Sequence, residues 1–197
     1  MDFCTSNEAC RHVFAYLSKR GISWKIIKDY IEKGLLYEEP KYYNCVFTGK
    51  NSEGKTVFAY KRETYDKKDR GVKSDVTSGD KSVAFRLPVN PKLEQVFVFE
   101  SSIDLMSYTT LYGYPTTNAV AQCGLWDGSL ETYLKENPHI QDIVLCLDND
   151  APGRSAIQQM REKYEGKGYS VKERIPKVGK DWNEMLQKHM KKKQMMR

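Results

Sequence analysis

Residues 143–154, Ile-Val-Leu-Cys-Leu-Asp-Asn-Asp-Ala-Pro-Gly-Arg, decide how this chain is built. Five apolar residues in a row, bounded by polar ones, read as a strand buried on both faces. The run stops at Asp148, and Asp150 follows with one residue between. Open α/β sheets place their ligands at the carboxyl ends of such strands. Pro152 presets φ for a first helical turn, and Gly153 lets backbone approach backbone. Two carboxylates so close repel unless a cation lies between them, and hard oxygen ligands suit Mg²⁺. The plainer reading is a strand-to-helix turn with Asp150 as the helix cap.

On either side of this stretch, strands and helices alternate, which argues a parallel sheet covered by helices. Residues 95–100 form a strand ending in Glu100, and Ser101 or Ser102 caps a helix that runs to Tyr112 and stops at Gly113. A second strand is expected over 116–121, a helix over 126–136, a helix over 151–164, a strand over 169–174 and a last helix over 181–190. Glu100, Asp148 and Asp150 then all leave strand carboxyl ends of one sheet. Asp104, one helical turn after Glu100, reaches the same place or simply favours its helix N-terminus.

Before the boundary at Pro88-Val-Asn-Pro91, the periodicity differs. Two helices come first, over 8–18 and from Ser23 to Gly34, and the turn between them reads as a packing connection rather than a groove-reading motif. Strands over 44–48 and 56–62 flank a turn-rich Gly-Lys-Asn-Ser-Glu-Gly, and another strand spans 83–87. Between them, Lys61, Arg62, Lys67, Lys68, Arg70 and Lys73 are interleaved with Tyr60 and Tyr65, a composition that grips phosphates and stacks on bases. Glu63, Asp66 and Asp69 dilute that charge.

The 197 residues carry a net charge of +6, unevenly spread. Residues 1–91 hold 17 Lys and Arg against 12 Asp and Glu, residues 92–187 hold 10 against 14, and the last ten residues hold 5 against none. An acidic segment flanked by basic ones suits a metal site beside a polyanion-binding surface. No stretch approaches the roughly 20 apolar residues that span a bilayer. The start lacks a basic and apolar signal pattern, so a cytoplasmic address is expected, with no membrane partner. Cys4, Cys10, Cys45, Cys123 and Cys146 are scattered without a CxxC, which argues reduced thiols and no zinc ribbon.

VFVFESSIDLMS (96–107), IVLCLDNDAPGRSA (143–156) and VGKDWNEML (178–186) together resemble the Toprim domain of primases, topoisomerases and nucleases. NAVAQCGLWDGSLETYL (118–134) is similar to the family's strand–Gly–helix between the acids. The resemblance implies a four-stranded parallel sheet flanked by helices over 91–190, preceded by a small α+β basic subdomain over 1–90 and followed by a basic tail, 191–197. It implies Glu100, Asp148 and Asp150 as metal ligands and catalytic groups, Asp104 and Asp181 as supporting metal-site acids, and Arg154 as a phosphate-side cation. Asn183 stands where primases carry another Asp. More weakly, NCVFTGKNSEGKTVFAYKRE (44–63) and VKSDVTSGDKSVAFRLP (72–88) resemble the basic subdomain before Toprim in replicative primases. By that match Lys61, Arg62, Lys73 and Lys81 face template or nucleotide.

The implied activity is primase-like nucleotidyl transfer, dependent on Mg²⁺ or Mn²⁺. Expected partners are single-stranded DNA, nucleotides, and replication or mobilisation proteins of a plasmid or integrative element. A nuclease using the same metals on DNA or RNA, and a DNA-binding accessory protein with a weak metal site, are the alternatives.

Overall fold

The computed structural model describes residues 10–64, 74–75, 79–113 and 118–196. Two short helices open it, α1 (Arg11–Lys19) and α2 (Trp24–Glu32). A four-stranded antiparallel sheet follows, built in sequence order from β1 (Leu36–Glu38), β2 (Cys45–Lys50), β3 (Thr56–Arg62) and β4 (Ser74–Asp75). The expected hairpin is β2–β3. Asn51 closes its turn by accepting from the Glu53 and Lys55 N–H groups, and Gly54 supplies the positive φ.

Cys10 gives α1 no side-chain cap, so an acceptor comes from elsewhere. Glu38, buried at the end of β1, accepts from the Val13 N–H at 2.9 Å and from His12 Nδ1 at 3.0 Å. A remote carboxylate thus serves as the cap and fastens α1 to the sheet.

The second sheet has the order β5–β7–β6–β8–β9, with β5 the short strand Phe85–Arg86. β6 (Gln95–Phe99), β7 (Asn118–Ala121), β8 (Asp142–Cys146) and β9 (Ser170–Glu173) are mutually parallel, as the alternating pattern requires. α3 (Ser102–Tyr112), α4 (Gly128–Glu136) and α5 (Ala151–Glu165) make the crossovers, and α6 (Trp182–Met195) closes the chain. The lysines at 191–193 extend that helix rather than trailing from it, with exposed side chains.

Period-two alternation divides the apolar strand residues between two cores. Val96, Val98, Val120, Ile143, Leu145 and Leu147 pack beneath α4 and α5. Phe97, Phe99, Ala119, Ala121, Val144 and Cys146 face the other way, into a core shared with α1, α2, α3, α6 and the antiparallel sheet. The N-terminal elements therefore cover one face of the parallel sheet. No helix among the described residues is long and apolar enough to cross a membrane.

The strand expected over 83–87 is the short β5 (Phe85–Arg86), and it joins the second sheet, antiparallel to β7. Ala84, just before it, has φ 44°. At this junction Arg86 is buried, donating to the Lys50 carbonyl at 2.7 Å and pairing with Glu136 at 2.5 Å. Close approach there needs Gly49, where a Cβ would lie 1.9 Å from the Ala84 carbonyl oxygen. Gly49→Ala is expected to destabilise the protein by about 3 kcal/mol, read as a lower urea midpoint.

Candidate active site at the carboxyl edge of the parallel sheet

β6 and β8 are hydrogen-bonded neighbours whose last paired residues are Phe99 and Cys146. Glu100 and Asp148 leave the same sheet edge, one and two residues beyond that pair. Asp148 is 6% exposed, and its Oδ1 finds no hydrogen-bond partner among the described residues. Burial pushes its carboxyl up to about 8, and the nearby charges of Asp104, Glu100 and Asp181 push in the same direction.

Asp150 behaves oppositely. Its Oδ1 caps α5 by accepting from the Gly153 N–H at 2.9 Å, so the helix-cap reading of this residue holds for one of its oxygens. That bond and the Lys180 ammonium hold its carboxyl below the usual range. Lys180 Nζ lies 3.1 Å from Asp150 Oδ2 and 3.7 Å from Asp148 Oδ2, bridging the pair. Gly153 makes this tight turn possible, because a Cβ there would sit 2.2 Å from the Asp148 carbonyl oxygen.

Asp104 is buried, and burial pushes its carboxyl up to about 6 against the opposing Ser101 hydrogen bond. Both its oxygens already have protein donors, Oδ2 from the Ser101 hydroxyl and Oδ1 from the Asn183 N–H at 3.3 Å. Ser101 in turn caps α3 by accepting from the Asp104 N–H. Asp181 caps α6, its Oδ1 accepting from the Glu184 N–H at 2.7 Å. Next to it the indole of Trp182 is buried and donates to the Cys146 carbonyl at 2.8 Å, which fixes the start of α6 against β8.

Asn183 is held on every side. Its Nδ2 donates to the Arg20 carbonyl at 3.1 Å and to Ser107 Oγ at 2.9 Å. Its Oδ1 accepts from Arg20 Nη1 at 3.2 Å and Gln187 Nε2 at 2.9 Å. An aspartate here could not donate, and would add charge beside Asp104. Asn183→Asp is therefore expected to lower stability by about 2 kcal/mol at pH 7, measured by denaturant unfolding, with less loss near pH 4.

Arg20, which no sequence motif marks, joins the two halves of the protein. Its guanidinium lies 4.8 Å from the centroid of the Tyr16 ring, and the Tyr16 hydroxyl accepts from Arg62 Nε at 3.1 Å. A continuous run of contacts thus leads from Arg62 at the end of β3, through Tyr16, Arg20 and Asn183, to Asp104. Lys61, beside Arg62, pairs with Glu39. Lys81 sits half-buried in the turn before β5, and Lys73 lies outside the described residues. Arg154, half exposed on α5, donates to Asn149 Oδ1 at 2.9 Å and approaches Glu173 at 3.7 Å.

Among the described residues, no three Asp, Glu, His or Cys side chains stand together closely enough to hold an ion as they are. The edge instead offers a pair of carboxylates already bridged by a cation, one of them with an orphaned buried oxygen. That donor set fits Mg²⁺ or Mn²⁺, since Mg²⁺ commonly takes one or two carboxylates and completes its shell with water and substrate phosphates. Glu100 is near enough for its charge to act on Asp148, Asp104 and Lys180.

Residues 97–186 match the Toprim-like family, and residues 15–92 match a family of unknown function, DUF3991. The uncharacterised protein pXO2-78 of Bacillus anthracis is 27% identical over 188 residues, covering 85% of this chain and 54% of its own length. The chain thus spans about half the length of this curated relative. Among solved structures, the zinc-binding and RNA polymerase domains of Aquifex aeolicus primase superpose with a TM-score of 0.64 at 18% identity, over 94% of this chain and 55% of that one. A DnaG primase catalytic domain bound to single-stranded DNA gives 0.60 at 15% identity, over 94% of this chain and 70% of that one. Over nearly its whole length, N-terminal half included, the chain is similar in fold to primase catalytic domains.

Proposed function

For a Toprim-domain chain with a primase-like fold, we propose metal-dependent nucleotidyl transfer on nucleic acid, as primer synthesis on single-stranded DNA. One observation carries this reading: the orphaned, buried Oδ1 of Asp148 beside Asp150 at the carboxyl edge of the parallel sheet. Asp148 and Asp150 would hold Mg²⁺ or Mn²⁺, with Glu100 completing the acidic edge and Asp104 and Asp181 supporting it. When bound, that ion supplies charge neutralisation at the phosphoryl oxygens. Glu100 accepts the proton of the attacking hydroxyl. Arg154 holds a phosphate once it leaves Asn149 and Glu173.

Lys61, Arg62, Lys73 and Lys81 form the nucleic-acid side. The path from Arg62 through Tyr16, Arg20 and Asn183 to Asp104 supports this, because it ties that basic strand end to the acidic edge. The relative's pXO2 name is that of a plasmid, which supports a mobile-element origin and replication or mobilisation proteins as partners. A cytoplasmic location follows from that role.

The test is incubation of the protein with single-stranded DNA, labelled ribonucleotides and Mg²⁺. Labelled oligonucleotides that depend on the DNA are the expected result. Shortened DNA without synthesis would make the protein a nuclease. A mobility shift with neither would make it a binding protein.

A further inference from the structure

Lys180 stands where a cation shared by Asp148 and Asp150 would stand. Its ammonium touches Oδ2 of both residues, at 3.7 and 3.1 Å. The backbone carrying it is clipped to the same turn as the acids. Its carbonyl accepts from the Asn149 N–H at 2.7 Å, and its own N–H donates to Glu184 Oε2 at 2.7 Å. Asn149 lies between the two aspartates, so this bond holds the root of Lys180 beside them. Its side chain is 57% exposed, so the ammonium can swing into solvent while that root stays fixed.

Resting on the metal-site reading above, we propose that Lys180 is a tethered counter-ion. In the metal-free protein its ammonium takes the place of the divalent ion between Asp148 and Asp150, and the ion binds by displacing it. A divalent ion on the same two carboxylates would meet the ammonium at a few ångströms, where like charges repel strongly once partly shielded from water. Both cannot stay. Lys180 therefore keeps the acidic pair assembled when no metal is present, and it weakens metal binding by competition.

Calorimetric titration with Mn²⁺ tests this on the whole chain. Lys180→Met and Lys180→Gln are expected to bind Mn²⁺ roughly three- to tenfold more tightly than wild type, the scale of displacing one partly exposed ion pair. Lys180→Arg, which keeps the charge, and Lys177→Gln, which removes a charge elsewhere on the same loop, should stay within about twofold of wild type. Circular dichroism checks that each variant is folded, and two neutral variants guard against failure of one. Equal or weaker Mn²⁺ binding by both neutral variants overturns the counter-ion role. If that binding is still lost on Asp148→Asn, the metal site itself stands. Absence of Mn²⁺ binding in wild type and variants alike overturns both.

Discussion

Asp148→Asn should stabilise the metal-free protein while removing its response to divalent ions. The sign follows from linkage. The Asp148 carboxyl is pushed up to about 8 in the fold, by burial and by Asp104, Glu100 and Asp181. In an unfolded chain it titrates near ~3.9. Between those values the native state holds a proton that the unfolded state has lost, so stability falls as pH rises through that window. Asp104, pushed up to about 6, adds to the fall in its lower part. Below roughly pH 4 the penalty is absent, and above about 8 it is complete. Asparagine removes the Asp148 share.

The variant is therefore expected to gain about 2 kcal/mol or more at pH 8, several degrees in Tm, and to match wild type near pH 4. Mn²⁺ should raise the Tm of wild type by mass action and leave the variant unmoved. Nucleotidyl transfer should fall at least ~100-fold, since losing even a ligand's supporting partner costs 10–100-fold. A thermal melt series from pH 4 to 8.5, with and without Mn²⁺, reads the stability effects together.

Gly153→Ala should be the most damaging one-carbon addition to the site. Its Cβ would stand 2.2 Å from the carbonyl oxygen and 3.0 Å from the carbonyl carbon of Asp148. Both are backbone atoms, which cannot rotate away. The first turn of α5 must then lift off the end of β8, taking Asp150 and its cap with it. We expect a loss of about 3 kcal/mol, a Tm lower by roughly 6–12 °C for a chain of this size. Mn²⁺ affinity should fall as well, because the two aspartates no longer share their turn. Ser155→Ala, an exposed substitution on the same helix, should do neither.

Why the parallel sheet could be read in advance is clear from residues 143–150. The unbroken apolar run is what a strand with a core on each face requires, and the acids mark where the chain leaves that core. Ser101 and Asp150 act as caps because short polar side chains at those positions are the usual acceptors for helix N–H groups. Such signals are local. What stayed hidden was long-range. A strand over 83–87 is legible, but not its partner: β5 leaves the first sheet for β7 of the second, at a junction set by Gly49, Ala84 and a buried Arg86. The cap of α1 comes from Glu38, which no neighbouring residue announces.

In the site, sequence spacing suggested the acids but not the cation between two of them. Lys180 is 30 residues from Asp150 and looks like any surface lysine until the loop is clipped to Asn149. The reason for Asn183 is equally remote, since its partners include Arg20, 163 residues away. Asp104 resembled a ligand or a helix-end acid, and the fold gives both its oxygens to Ser101 and Asn183.

Calorimetric titration of wild type with Mn²⁺ at pH 7, in buffers of different ionisation enthalpy, bears most directly on the acidic edge as a metal site. Because burial and the neighbouring acids push the Asp148 carboxyl up to about 8, ion binding there is expected to release a proton into the buffer. One tight event whose heat varies with the buffer, and which disappears in Asp148→Asn, is the expected result. No binding, or binding that releases no proton and survives Asp148→Asn, would contradict it.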